Sequence, residues 1–179
     1  EVINKIIFEK NISYKNYIVP GFVDLHVHGG KGHDSMEGLN SITKMSDYHL
    51  SHGTTTIYPT TVAASFDDTL KALKGLGNYI KDNNKTTNID GVHLEGPFIN
   101  PKKMGAQPPF AQLPNNDFIE KLMEEVPVKI MTLSPEIHEG IDLVNFLIKN
   151  KIKPQIGHSL ANFNTCKIAI KNGVESFTH

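Results

Sequence analysis

His26 and His28 are separated by one residue at the end of an apolar run. Residues two apart on a strand share a face, so the two imidazoles are presented side by side. Further on, His93-Leu94-Glu95-Gly96-Pro97, Gly157-His158-Ser159 and Thr178-His179 each close another apolar run with an imidazole or a carboxylate. Neutral imidazole suits zinc, iron and similar divalent ions, and a carboxylate such as Glu95 completes or bridges such a site. A single histidine at a strand end is more often a hydrogen-bonded rim residue than a ligand. Four histidines and a glutamate at four strand ends reverse that expectation, and His26, His28, Glu95, His158 and His179 form the candidate metal set. His93 shares a face with Glu95 and is expected to support it from behind.

The other histidines read as surface or packing residues. His49 and His52 lie on or just after a helical stretch, His138 near the start of another, and His33 in a glycine-rich loop that leaves the first candidate strand. Gly96-Pro97 suits a chain that must leave its strand sharply. The stretch from Phe98 to Pro114 is rich in proline and glycine, and loops of that length in compact domains are usually functional. It is expected to arch over the metal.

The elements that would position these residues follow from the apolar periodicity. Six runs read as strands, Ile18 to His28, Thr54 to Thr60, Ile89 to Glu95, Val128 to Leu133, Pro154 to His158 and Val174 to His179, each apolar on both faces as buried parallel strands are. Helical spacing appears between them at Ile42, Met45, His49 and Leu50; at Leu70, Leu73, Leu76 and Ile80; at Phe118, Ile119, Leu122 and Val126; at Ile141, Val144, Leu147 and Ile148; and at Cys166, Ala169 and Ile170. Ser65 followed by Asp67 and Asp68 suits a helix start, while Gly53 and Gly173 suit helix ends. Regular strand-helix alternation means an α/β fold with a parallel sheet, either open and doubly wound or closed as a (β/α)8 barrel. In both, function gathers at the carboxyl ends of the strands. The chain stops right after the sixth strand with no helix to cover it, which favours an incomplete barrel over residues 18–179. Residues 1–17 read as a remnant of a small accessory β segment.

Composition excludes several classes. The formal charge is -1 and the pI about 6.8, so there is no electrostatic footprint for nucleic acid or an anionic membrane. No apolar run approaches the roughly 20 residues that cross a bilayer, and no basic-then-apolar leader is present. The single cysteine, Cys166, cannot pair within the chain and reads as an ordinary buried thiol. A cytoplasmic, reducing address is expected.

The run Val19-Pro20-Gly21-Phe22-Val23-Asp24-Leu25-His26-Val27-His28-Gly29 resembles the first-strand signature of the amidohydrolase superfamily of metal-dependent hydrolases, built on (β/α)8 barrels. His93-Leu94-Glu95-Gly96-Pro97-Phe98, Lys103-Met104-Gly105-Ala106-Gln107, Gly157-His158-Ser159 and Ser176-Phe177-Thr178-His179 narrow the resemblance to N-acetylglucosamine-6-phosphate deacetylases. The resemblance implies Glu95, His158 and His179 as ligands of a principal zinc or iron ion, a second ion at His26 and His28 with Glu95 bridging, and Ala106 with Gln107 in the sugar-binding loop. It also implies a phosphorylated amino-sugar substrate, a homodimer, and a proton-shuttling aspartate at the end of strand eight, beyond His179. Two other readings stand beside it: an amidohydrolase of another kind, such as a cyclic amidase or deaminase, and a metal-binding fragment without turnover.

Overall fold

The computed structural model describes residues 17–179 except 83, together with 5, 7, 10 and 13. The accessory segment expected over 1–17 therefore lies largely outside the described residues. Six strands, β1 (Phe22–Val27), β2 (Thr54–Thr61), β3 (Val92–Glu95), β4 (Val128–Leu133), β5 (Lys153–Ile156) and β6 (Ser176–Phe177), alternate with five helices, α1 (Leu39–Ser51), α2 (Phe66–Lys81), α3 (Asn116–Met123), α4 (Gly140–Lys149) and α5 (Phe163–Lys171). The strands form one sheet in sequential order, and every neighbouring pair is parallel. A doubly wound sheet would reverse direction at a switch point. Here the order never reverses, so the sheet is wound one way, as half of a barrel is.

Packing follows the apolar stripes. Leu73, Leu76 and Tyr79 of α2, Phe118, Ile119 and Leu122 of α3, and Leu143, Val144 and Leu147 of α4 are buried in one core with Ile57, Leu94, Met131 and Leu133 of the sheet. Phe118 meets Phe66 and Phe98 edge to face, at centroid separations of 5.3 and 5.5 Å. The N-cap expected at Ser65 is present, its hydroxyl accepting from the Asp68 amide at 3.1 Å. Gly53 and Gly173 end their helices at φ +91° and +108°, where a side chain would be strained.

Burial on both faces does not extend to the sheet's edges. Phe22, Val23 and Leu25 of β1 and Phe177 of β6 are about half exposed or more, because each edge strand lacks a neighbour on one side. Cys166 is partly rather than fully buried, packed against the edge of the core. One element has no counterpart in the apolar pattern: Gly29–Gly30 pairs antiparallel with His33–Asp34. The next turn, Ser35–Glu37, is a 3-10 helix closed by a capping box between Asp34 and Glu37. Two-residue strands are too short to leave a periodic trace.

Candidate metal centre

All five residues of the candidate set meet at the carboxyl end of the sheet. Glu95, the last residue of β3, has a side chain only 1% exposed. Its Oε2 lies 2.9 Å from His28 Nε2 and 3.6 Å from His26 Nε2. Its Oε1 lies 3.1 Å from both His158 Nε2 and His179 Nε2. One carboxylate thus has a pair of imidazoles at each oxygen. The nitrogens of His26 and His28 are 3.0 Å apart, and the ligand atoms of His26, Glu95 and His179 all lie within 4.8 Å of one another.

The backbone explains this convergence. The ladder between β1 and β2 is irregular between Asp24 and Val27, and there the Asp24 carboxylate accepts the His26 amide at 3.0 Å. Such irregularities re-aim side chains at sheet rims. Gly96 follows Glu95 at φ +83°, the left-handed region, and turns the chain out of β3 at once. His158 and His179 themselves adopt φ +49° and +70°.

Two of the rings have their tautomer fixed. His28 Nδ1 is 3.0 Å from the Thr60 carbonyl and His158 Nδ1 is 2.8 Å from the Lys103 carbonyl. A carbonyl only accepts, so each Nδ1 carries a proton and each Nε2 faces Glu95. The Glu95 hydrogen bond raises the His28 pKa, against a lesser opposing effect of burial. Burial pushes the Glu95 carboxyl up, but the His26 and His28 rings outweigh it and hold the group well below the usual carboxylate range. A buried carboxylate ringed by imidazole nitrogens calls for positive charge, and this donor set of nitrogen and oxygen fits a divalent zinc or iron ion.

His93 stands behind the cluster rather than in it. Its ring is fully buried and lies edge-on to His26 at 4.9 Å. Nδ1 is 3.0 Å from the Leu25 carbonyl and Nε2 is 2.7 Å from Thr132 Oγ1. Burial pushes its pKa down to about 4, so it is neutral at pH 7. Gln107 arrives from the long loop. Its amide oxygen accepts the Ala63 N–H at 2.7 Å, and its NH2 donates to Glu95 Oε2 at 2.5 Å. Ala106 beside it is exposed. His33, His49, His52 and His138 stay apart: His33 is 3.5 Å from Ser41 Oγ, His49 bonds the Gly29 carbonyl, His52 the Tyr48 carbonyl, and His138 lies 3.8 Å from Glu139 Oε1.

Sequence reasoning passed over the supports on β2 and β4. Thr60 accepts His28 through its carbonyl and the Val27 amide through its hydroxyl. Ser134 and Glu136 follow β4 and bind the loops that carry His158 and Gln107. The only available signal was their place directly after a strand, and without an imidazole it is weak.

Fold and site together define a parallel α/β half-barrel with a histidine-glutamate cluster at its carboxyl end. No protein-family model matches the chain. It is 32% identical over 170 residues to an N-acetylglucosamine-6-phosphate deacetylase of Lysinibacillus sphaericus, an alignment that covers 91% of this chain and 43% of the relative. Among solved structures, the deacetylase of the same name from Thermotoga maritima superposes with a TM-score of 0.78 at 36% identity, over 89% of this chain and 43% of that one. A mutant of the Mycobacterium smegmatis enzyme, in complex with N-acetyl-D-glucosamine-6-phosphate, gives a TM-score of 0.82 at 29% identity, over 90% and 42%. By sequence and by fold the chain is a relative of the N-acetylglucosamine-6-phosphate deacetylases, and it spans less than half the length of those it matches.

Proposed function

We propose that the protein carrying this chain hydrolyses the acetamide of N-acetyl-D-glucosamine 6-phosphate to glucosamine 6-phosphate and acetate, in a metal-dependent reaction on a completed (β/α)8 barrel. The observation that carries the reading is the meeting of four imidazoles on the buried Glu95 carboxylate. His158 and His179 with Glu95 Oε1 would hold one divalent ion, and His26 and His28 with Oε2 a second. Bound there, such an ion supplies Lewis acidity, which activates water at neutral pH and polarises the amide carbonyl. The chain's own residues do the rest. The Thr60 and Lys103 carbonyls orient the His28 and His158 rings, and Gln107, anchored by Ala63, places Ala106 and the loop backbone where the sugar would lie. The name and bound ligand of the relatives support the substrate assignment.

Metal binding without turnover is the second reading, and the four ring contacts on Glu95 support binding alone. Acetate release from N-acetyl-D-glucosamine 6-phosphate, measured with and without chelator, separates the two. Turnover that chelator does not touch would refute the metal-dependent reading, and zinc binding without acetate release would leave the second.

A further inference from the structure

β4 brings no imidazole to the site, yet the residues that follow it touch both the turn that carries His158 and the loop that carries Gln107. Ser134 is fully buried. Its hydroxyl donates to the His158 carbonyl at 2.7 Å and accepts the Asn100 amide at 2.8 Å. Glu136, two residues on, accepts three hydrogen bonds. Asn100 Nδ2 at 2.9 Å and the Leu160 amide at 2.6 Å meet Oε1, and Ser159 Oγ at 2.6 Å meets Oε2. The Asn100 amide also reaches the His158 carbonyl at 3.0 Å. His158 sits between these contacts in the left-handed conformation, φ +49°. For a residue with a side chain that region costs roughly 1–2 kcal/mol, and it persists when its surroundings over-determine it. The same loop closes back on the ring, since the Lys103 carbonyl accepts His158 Nδ1. Four residues further along it, Gln107 donates to Glu95.

We infer that Glu136, working with Ser134, is a positioning residue: it clamps the turn that presents His158 to the loop that carries Lys103, Ala106 and Gln107, and so sets a metal ligand and the substrate loop as one unit. The inference rests on the metal-centre reading above. Glu136 touches neither the candidate ion position nor a ligand ring, so its effect passes through Ser159, Leu160 and Asn100. Geometry, more than charge, is what the clamp requires. A glutamine at the same place keeps an acceptor for Asn100 and Leu160 and offers an NH2 that the Ser159 hydroxyl can turn to accept.

The test uses the chain itself, with zinc affinity measured by chelator competition and the visible spectrum of bound cobalt as a report on ligand geometry. Glu136→Ala is expected to weaken zinc binding by about 10- to 100-fold, the usual cost of losing an outer support, and to change the cobalt spectrum. Glu136→Gln is expected to leave both near wild type. Asn100→Asp sets a carboxylate against Glu136 and is expected to weaken binding like the alanine variant. That variant decides the matter if Glu136→Ala does not fold. Unchanged affinity and spectrum in Glu136→Ala or in Asn100→Asp overturns the inference. A wild-type chain that binds no zinc overturns the metal-centre reading instead, and does so before any substitution is made.

Discussion

Replacing Thr132 with valine tests the layer beneath the candidate ligands with almost no change of shape. Thr132 is fully buried, and its hydroxyl lies 2.7 Å from His93 Nε2 and 2.6 Å from Thr178 Oγ1. His93 Nδ1 must donate, because its partner is the Leu25 carbonyl. The ring is neutral, so Nε2 must accept, and the Thr132 hydroxyl is its donor. Valine removes that donor and leaves a buried imidazole nitrogen unpaired. Thr178 loses less, since Gln155 Oε1 is 3.0 Å away and can take its proton. The loss therefore falls on one acceptor, about 1–3 kcal/mol. For a chain of this size, a cost of about 2 kcal/mol lowers Tm by roughly 4–8 °C. Urea unfolding followed by far-UV circular dichroism measures it. A midpoint within about 0.5 kcal/mol of wild type, the range of an inert surface change, would show that Thr132 is not the donor.

Other expectations follow from the same geometry. Because His93 is held at about 4 against an ordinary 6.5, its charged form is disfavoured when folded. The unfolded chain gains the proton first, so stability should fall as pH drops from 6.5 toward 4, by about 3 kcal/mol over the full window; a flat urea midpoint between pH 7 and pH 4.5 would contradict this. Glu95→Gln removes the one carboxylate the four rings share and should weaken zinc binding by more than the roughly hundredfold upper figure for an outer partner, read by chelator competition. Ser65→Ala deletes the N-cap of α2 and should cost about 1 kcal/mol, far from the site and without effect on zinc affinity.

What the sequence disclosed, and what it hid, divides along physical lines. β4 is read to the residue from its apolar run, and β2 ends one residue later than its run suggests. The first strand was expected from Ile18, but Ile18 is fully exposed and Val19 largely so. Apolar character makes a strand only where a neighbour can pair with it. The fifth and sixth strands were extended to His158 and His179, whose left-handed φ values end an extended chain. The ligands were nonetheless legible, since an imidazole or carboxylate at the end of an apolar run is a local signal. Glu136 was not. Its three donors come from residues 100, 159 and 160, and contacts so distant in sequence leave no period to read.

The division of labour among the strands explains why the hidden residues matter. The candidate ligands come from β1, β3, β5 and β6 or the residues just beyond them; β2 and β4 supply none. Those two strands carry the supports. From β2, the Thr60 carbonyl accepts His28 Nδ1 and the Ser35 hydroxyl, and its own hydroxyl accepts the Val27 amide. On and after β4, Thr132 holds His93 against His26, while Ser134 and Glu136 hold the turn at His158. Neighbouring tips in a parallel sheet stand about 4.8 Å apart, close enough for side chains at the β2 and β4 tips to reach the backbone of the ligand strands beside them, although neither tip supplies a candidate ligand. Substitutions at the β2 and β4 tips should therefore weaken metal binding while leaving every candidate ligand in place. Substitutions of comparable cost in the α3 core, such as Leu122→Ala, should lower stability and leave the affinity of the folded chain unchanged. Equal loss of zinc affinity in both groups, after correction for the fraction folded, would mean that the strand tips support the fold and not the site.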